Sequence, residues 1–207
     1  MARQREGSQR ISYCLKRRPV IASLMSAEEL PVLLNSSANV IFIVKSDIFM
    51  IDAVVERIRE AGKLSFIHFD LIEGLGKDRA GLAYLADKVG ADGIVTTKNS
   101  IIAEAKKLGL LTVQRLFVLD SVSLDNGIKN IKSSEPDAIE VLPGLVCKRI
   151  VGKIRKELDI PIIAGGLISE PEDFREALDS GVIGISTSSR ELWKLQDEGQ
   201  MTYGEGE

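Results

Sequence analysis

Apolar residues in this chain come in short unbroken runs rather than in alternation. Eight such runs, rich in Val and Ile, span Val20–Leu24, Val40–Val44, Leu64–Phe69, Gly93–Thr96, Leu110–Leu116, Ala138–Val141, Ile160–Ala164 and Val182–Ile185. Runs that are apolar throughout predict parallel strands buried on both faces. Between them lie segments with Glu, Lys and Arg at helical spacing, as in 51–61, 80–89 and 101–108. Gly62, Gly90, Gly109 and Gly181 each close a helical pattern ahead of a strand, where C-terminal caps are expected. Pro171 with Glu172 and Asp173 marks a helix start. Ser26 with Glu29 reads as a capping box. Pro31 falls inside the first predicted helix and should distort or delay it.

Strands alternating with helices at a period of about 20–27 residues predict a small (β/α)₈ barrel, a TIM barrel whose parallel eight-stranded sheet is ringed by outer helices. The competing doubly wound open sheet usually carries a Gly-rich first loop, and Val20 to Ala27 has none. The barrel would occupy residues 19–195, preceded by a basic extension, 1–18, and followed by an acidic polar tail, 196–207. The loops must be short, with little room for a lid.

Composition narrows the class. Hydrophobic residues make up 44% and charged residues 28% of the 207, a globular balance. Two cysteines, Cys14 and Cys147, cannot build a disulfide scaffold, and Cys147 reads as a structural thiol. The sequence has no run long enough to span a membrane and no secretory signal, so a soluble cytoplasmic protein is expected. Net charge is −3. Residues 1–18 hold Arg3, Arg5, Arg10, Lys16, Arg17 and Arg18 against Glu6, a local +5, which leaves −8 for the remainder. A solvated terminus is the plain reading of that stretch. A second basic group, Lys148, Arg149, Lys153, Arg155 and Lys156, falls on the predicted sixth helix.

In this fold ligands bind where the strands end. There stand Lys45, Asp70, Lys98, Arg115 and Glu140, and charges converging on a barrel mouth suit a small anion bearing hydroxyls. Gly165 and Gly166, with Ser186, Thr187 and Ser188 ahead of a last helix over Ser189–Leu195, match the phosphate cradle formed by the seventh and eighth loops. His68, the only histidine, shares a strand face with Asp70; it would suit the role of a general base, and the plainer reading is a histidine that orients Asp70. Trp193 should pack on the barrel. No metal-binding spacing is visible, and no cofactor is expected. Asp70 and Glu140 could hold Mg²⁺, but nothing requires it.

These residues resemble those of the glycerol-3-phosphate-responsive antiterminators of bacterial glycerol operons. The likeness runs from about Pro19 to Trp193. It is carried by Phe66 to Ile72 with His68, Asp70 and Leu71, by Gly93 to Lys98 with its Thr-Thr-Lys, and by Gln114 and Arg115 with Asp120 and Ser121. Pro136 to Gly144, with Glu140 and the Leu-Pro-Gly that ends it, Ile163 to Ile168, Ser186 to Ser188, and Leu192 with Trp193 continue it. The Gly-Gly and Ser-Thr-Ser elements occur in many phosphate-binding barrels and are the least specific. The basic start, the acidic tail and Gly181-Val182 depart from the pattern. The resemblance implies a regulator that senses glycerol 3-phosphate and acts on the leader mRNA of a glycerol operon. Its partners would be the small phosphorylated ligand and that RNA, with no membrane; a homo-oligomer stays open. The alternative is a phosphosugar aldolase or lyase with Lys98 as Schiff-base amine.

Overall fold

The computed structural model describes residues 2–16 and 18–200. Its sheet is a closed barrel in which each strand pairs with the next and the last returns to the first. The strands are β1 (Val20–Leu24), β2 (Val40–Ile43), β3 (Leu64–His68), β4 (Gly93–Thr96), β5 (Leu111–Phe117), β6 (Ala138–Leu142), β7 (Ile162–Gly165) and β8 (Gly184–Thr187). All eight pairings are parallel. The expected (β/α)₈ barrel is therefore the observed fold.

Alternation along each strand sorts the apolar residues into two cores. Ile21, Phe42, Phe66, Val95, Val113 and Ile163 fill the barrel interior. Ile41, Ile67, Ile94, Ile139, Ala164 and Ile185 point outward and pack beneath the helices. These helices are α2 (Leu30–Asn35), α3 (Ile51–Glu60), α4 (Arg79–Ala83), α5 (Asn99–Lys107), α6 (Ser121–Ser134), α7 (Cys147–Glu157), α8 (Pro171–Asp179) and α9 (Arg190–Asp197). A wider turn, Tyr84–Val89, prolongs α4 and stops at Gly90, whose φ of +69° is the left-handed cap expected there.

Of two local expectations, one holds and one shifts. Pro31 does delay its helix: a short 3₁₀ turn, Ala27–Glu29, comes first, and the proline sits in the first turn of α2, where its missing N–H costs nothing. The capping box is displaced, because Glu29 accepts from the Met25 backbone N–H at 3.2 Å while the Ser26 side chain accepts from Glu28.

The two ends depart more. Residues 2–15, within the stretch read as solvated, form a helix, α1 (Ala2–Leu15). Ile11 and Leu15, one helical turn apart, are buried in the interior core and plug the N-terminal end of the barrel. Gly7 lets the helix lie against Asp137, where a Cβ would collide with the carboxylate. The Ser8 hydroxyl donates to Asp137 O at 2.7 Å, and Arg10 pairs with Asp92 at 2.9 Å. Arg17 and the Arg3 side chain lie outside the described residues. At the other end α9 enters the stretch read as tail: Gln196 is buried and its Oε1 accepts from Val20 N at 2.8 Å. Residues 201–207 lie outside the described part. Trp193 packs on the barrel as expected, donating from Nε1 to Thr187 O at 2.9 Å. No helix among the described residues is long and apolar enough to cross a membrane.

Candidate functional site

The mouth of the barrel is organised by strand register. Arg115 on β5 and Glu140 on β6 are direct neighbours. Both point inward, and Arg115 Nε lies 3.1 Å from Glu140 Oε2. The other carboxylate oxygen, Oε1, accepts from the Ser186 hydroxyl on β8 at 2.5 Å. Between them β7 contributes Gly165, where a Cβ would collide with both the Glu140 carboxylate and the Ser186 hydroxyl. Four successive strands thus build one row, and the missing side chain of Gly165 is what lets it close. Glu140 is buried, and burial pushes its carboxyl above the usual range against the opposing pull of Ser186 and Arg115. The Arg115 guanidinium also lies over the Phe117 ring, 4.8 Å from its centroid.

The opposite side of the mouth is built on Asp70, just beyond β3. Its Oδ2 accepts from Thr96 Oγ1 at 2.8 Å and from the Thr97 backbone N–H at 3.0 Å. Its Oδ1 is buried and fills no hydrogen bond among the described residues. Lys98 Nζ stands 3.8 Å from that oxygen, with its side chain 52% exposed. The reading of His68 as the group that orients Asp70 is corrected here, since Thr96 and Thr97 do so. His68 is instead buried edge-on to Phe42, at 5.7 Å between ring centroids. Burial, reinforced by Arg115 and opposed by Asp70, brings its pKa down to about 3, so the imidazole is neutral at physiological pH.

Lys77 was not legible as part of the mouth, because it lies in the loop after β3 rather than at a strand end. Its ammonium donates to Ile72 O at 2.5 Å and stands 5.7 Å from the Phe69 ring centroid. Burial lowers its pKa, with Asp70 acting against that and Lys98 adding to it. The only signal was a lysine directly after Gly76 in a glycine-bearing loop. Lys45 is exposed, and its ammonium makes no ion pair among the described residues.

The cradle residues divide by role. Gly166 has φ +72° and Leu167 φ +62°, two successive left-handed residues that turn the chain back at the end of β7. Gly144 N donates to Gly166 O at 3.0 Å, tying that loop to the one after β6. Thr187 faces away from the mouth: its hydroxyl donates to Ile168 O at 2.8 Å and accepts from Ser189 N at 3.0 Å, so it latches the seventh and eighth loops together. Ser188 is exposed, and the Ser189 side chain caps α9 by accepting from Leu192 N. Among the described residues no three His, Cys, Asp or Glu side chains gather as a metal site. Cys147 is wholly buried and burial pushes its thiol up to about 12, as a structural cysteine requires.

Comparison with known proteins gives the geometry a setting. The family model described as "Glycerol-3-phosphate responsive antiterminator" matches residues 20–193. A crystal structure of the glycerol uptake operon antiterminator regulatory protein from Listeria monocytogenes superposes with a TM-score of 0.81. It is 31% identical, over 86% of this chain and 95% of that one. A glycerol uptake operon antiterminator-related protein from Thermotoga maritima gives 0.76 at 36% identity, over 86% and 99% of the two chains. Uncharacterized protein YgcP of Escherichia coli K12 is 36% identical over 183 residues, 88% of this chain and 95% of its own.

Proposed function

Because the chain belongs to the glycerol-3-phosphate-responsive antiterminators, a regulatory family, we propose that its barrel mouth is a receptor site for glycerol 3-phosphate. In the bound state the protein acts on the leader mRNA of a glycerol operon to prevent termination. The observation that carries this reading is the row Arg115, Glu140, Gly165 and Ser186, a buried carboxylate held by a cation and a hydroxyl at the floor of the mouth. Glu140, and the unfilled Oδ1 of Asp70 across from it, are acceptors for the two vicinal hydroxyls of the ligand. The phosphate dianion lies against Gly165, Gly166, Ser186 and Ser188, and not against Thr187, whose hydroxyl is turned away. Lys98, Lys77 and Arg115 balance its charge, and Lys45 adds long-range attraction from the rim.

The aldolase or lyase reading is less well supported. A Schiff-base lysine is activated by an apolar pocket or a second cation pressed against it. Lys98 instead faces solvent and the Asp70 carboxylate. Ligand binding changes RNA affinity only through a difference in how the ligand binds two states of the protein. The test is calorimetric titration with glycerol 3-phosphate, glycerol and inorganic phosphate. Glycerol 3-phosphate alone should bind tightly, and Gly166→Asp, which sets a carboxylate where the phosphate must lie, should abolish that binding in a folded protein. Undiminished affinity in this variant would move the site elsewhere. Covalent trapping of a carbonyl substrate on Lys98 by borohydride would favour the lyase.

A further inference from the structure

The face opposite the mouth carries a groove of about 1510 Å³ between α1 and the segment that leads from α7 into β7. One side of α1 is buried through Gly7, Ile11 and Leu15. The adjoining side presents Arg5, Gln9 and Tyr13 to the groove at helical spacing, and Lys16 joins them directly after the helix ends. Arg155 and Asp159 stand on the opposite wall. The Arg155 guanidinium is fixed there by donating to Gly181 O. Tyr13 is 84% exposed. The groove therefore sets three cations against one carboxylate in a chain whose net charge is −3. Apart from Arg155, the second basic group of the sequence, on the outer face of α7, offers less: Lys148 pairs with Glu176 at 2.7 Å and Lys153 with Asp125 at 2.5 Å.

We propose that this groove is the RNA surface, and that it takes a single-stranded segment whose phosphates lie along Arg5, Lys16 and Arg155 and one of whose bases stacks on Tyr13. An exposed ring beside a cationic track suits unpaired bases, whose faces are open, whereas a duplex hides them. This assignment rests on the reading of the chain as an antiterminator, and it places the RNA and the ligand at opposite ends of the barrel.

The experiment follows fluorescence anisotropy of a labelled single-stranded RNA of about 12 nucleotides across a salt series, with glycerol 3-phosphate present. The full chain is compared with Arg5→Ala/Lys16→Ala and with Tyr13→Ala. Removing two phosphate contacts should flatten the log–log salt slope by about 1.4. Tyr13→Ala should weaken binding by about tenfold and leave the slope alone. Both variants should melt like the parent and keep its calorimetric affinity for glycerol 3-phosphate, since none of these residues touches the mouth. Parent-like RNA binding by both variants overturns the groove while leaving the antiterminator reading intact. No RNA binding by the parent in the presence of bound ligand overturns both. Loss of RNA binding in the variants from a parent that does not bind glycerol 3-phosphate keeps the groove and overturns the ligand. A labelled polyglutamate peptide bound as tightly as the RNA and as sensitive to the substitutions assigns the groove to an acidic protein partner and overturns the proposal.

Discussion

Gly165 shows how much of the mouth depends on a single absent side chain. A Cβ there meets the Glu140 carboxylate and the Ser186 hydroxyl together, so Gly165→Ala must push the row apart. Overpacking of this kind costs about 1–3 kcal/mol; urea denaturation should show that loss, and titration a weaker ligand response. Lys98→Met removes one charge-assisted contact, expected to cost about 1.5 kcal/mol of ligand affinity, the low end for a side chain half in solvent. His68 gives a pH signature. Its folded pKa of about 3 lies below the unfolded 6.5, so between those values the unfolded chain binds a proton that the folded chain refuses. Stability therefore falls as pH drops below about 6.5 and is fully present above it. Between pH 7 and 5 the His68 contribution is at most about 2 kcal/mol. Glu140, whose folded pKa is raised, works in the opposite direction above its unfolded value. Denaturant melts of the parent and His68→Gln at the two pH values isolate the histidine, and equal losses in both would contradict a buried neutral imidazole.

Among the elements, α1 is the one that composition hid. Its sequence is dominated by Arg, Gln and Ser, and its buried stripe consists of Gly7, Ile11 and Leu15, too few apolar positions to outweigh the charge around them. The strands were legible because eight apolar runs at a steady spacing leave few alternatives, whereas the pairing of Arg115 with Glu140 was not, because it depends on the register of β5 against β6. Lys77 and the outward turn of Thr187 were not legible: the first depends on how a loop folds back, the second on which face a strand end presents. The buried stripe also changes how the RNA surface can be tested. Removing residues 1–16 would unplug the barrel, so point substitutions on the exposed side of α1 are the sound probe. Leu15→Ala should destabilise the protein by about 2–5 kcal/mol, seen as a lower urea midpoint, although the residue precedes the first strand. A loss near zero would return α1 to the solvated terminus that its charge suggests.

For the molecule as a whole, the proposed receptor reading predicts a shift in global stability. Glycerol 3-phosphate at a hundred times its Kd should stabilise the fold by about 2.7 kcal/mol, which for a chain of this length raises Tm by roughly 5–10 °C. A thermal scan with and without ligand checks it, with glycerol as the control. The bond between Val20 N and Gln196 Oε1 joins residues 176 positions apart, at the seam where β8 meets β1. During synthesis at about 5–20 residues per second, the first strand waits roughly 10–35 s for the partner that closes it. One edge of β1 stays open through that interval, a template for strand pairing with another chain. Contacts this distant in sequence also slow refolding. The nascent chain must therefore be kept from its neighbours until its last helix has emerged, and before that moment there is no closed mouth for a ligand to enter.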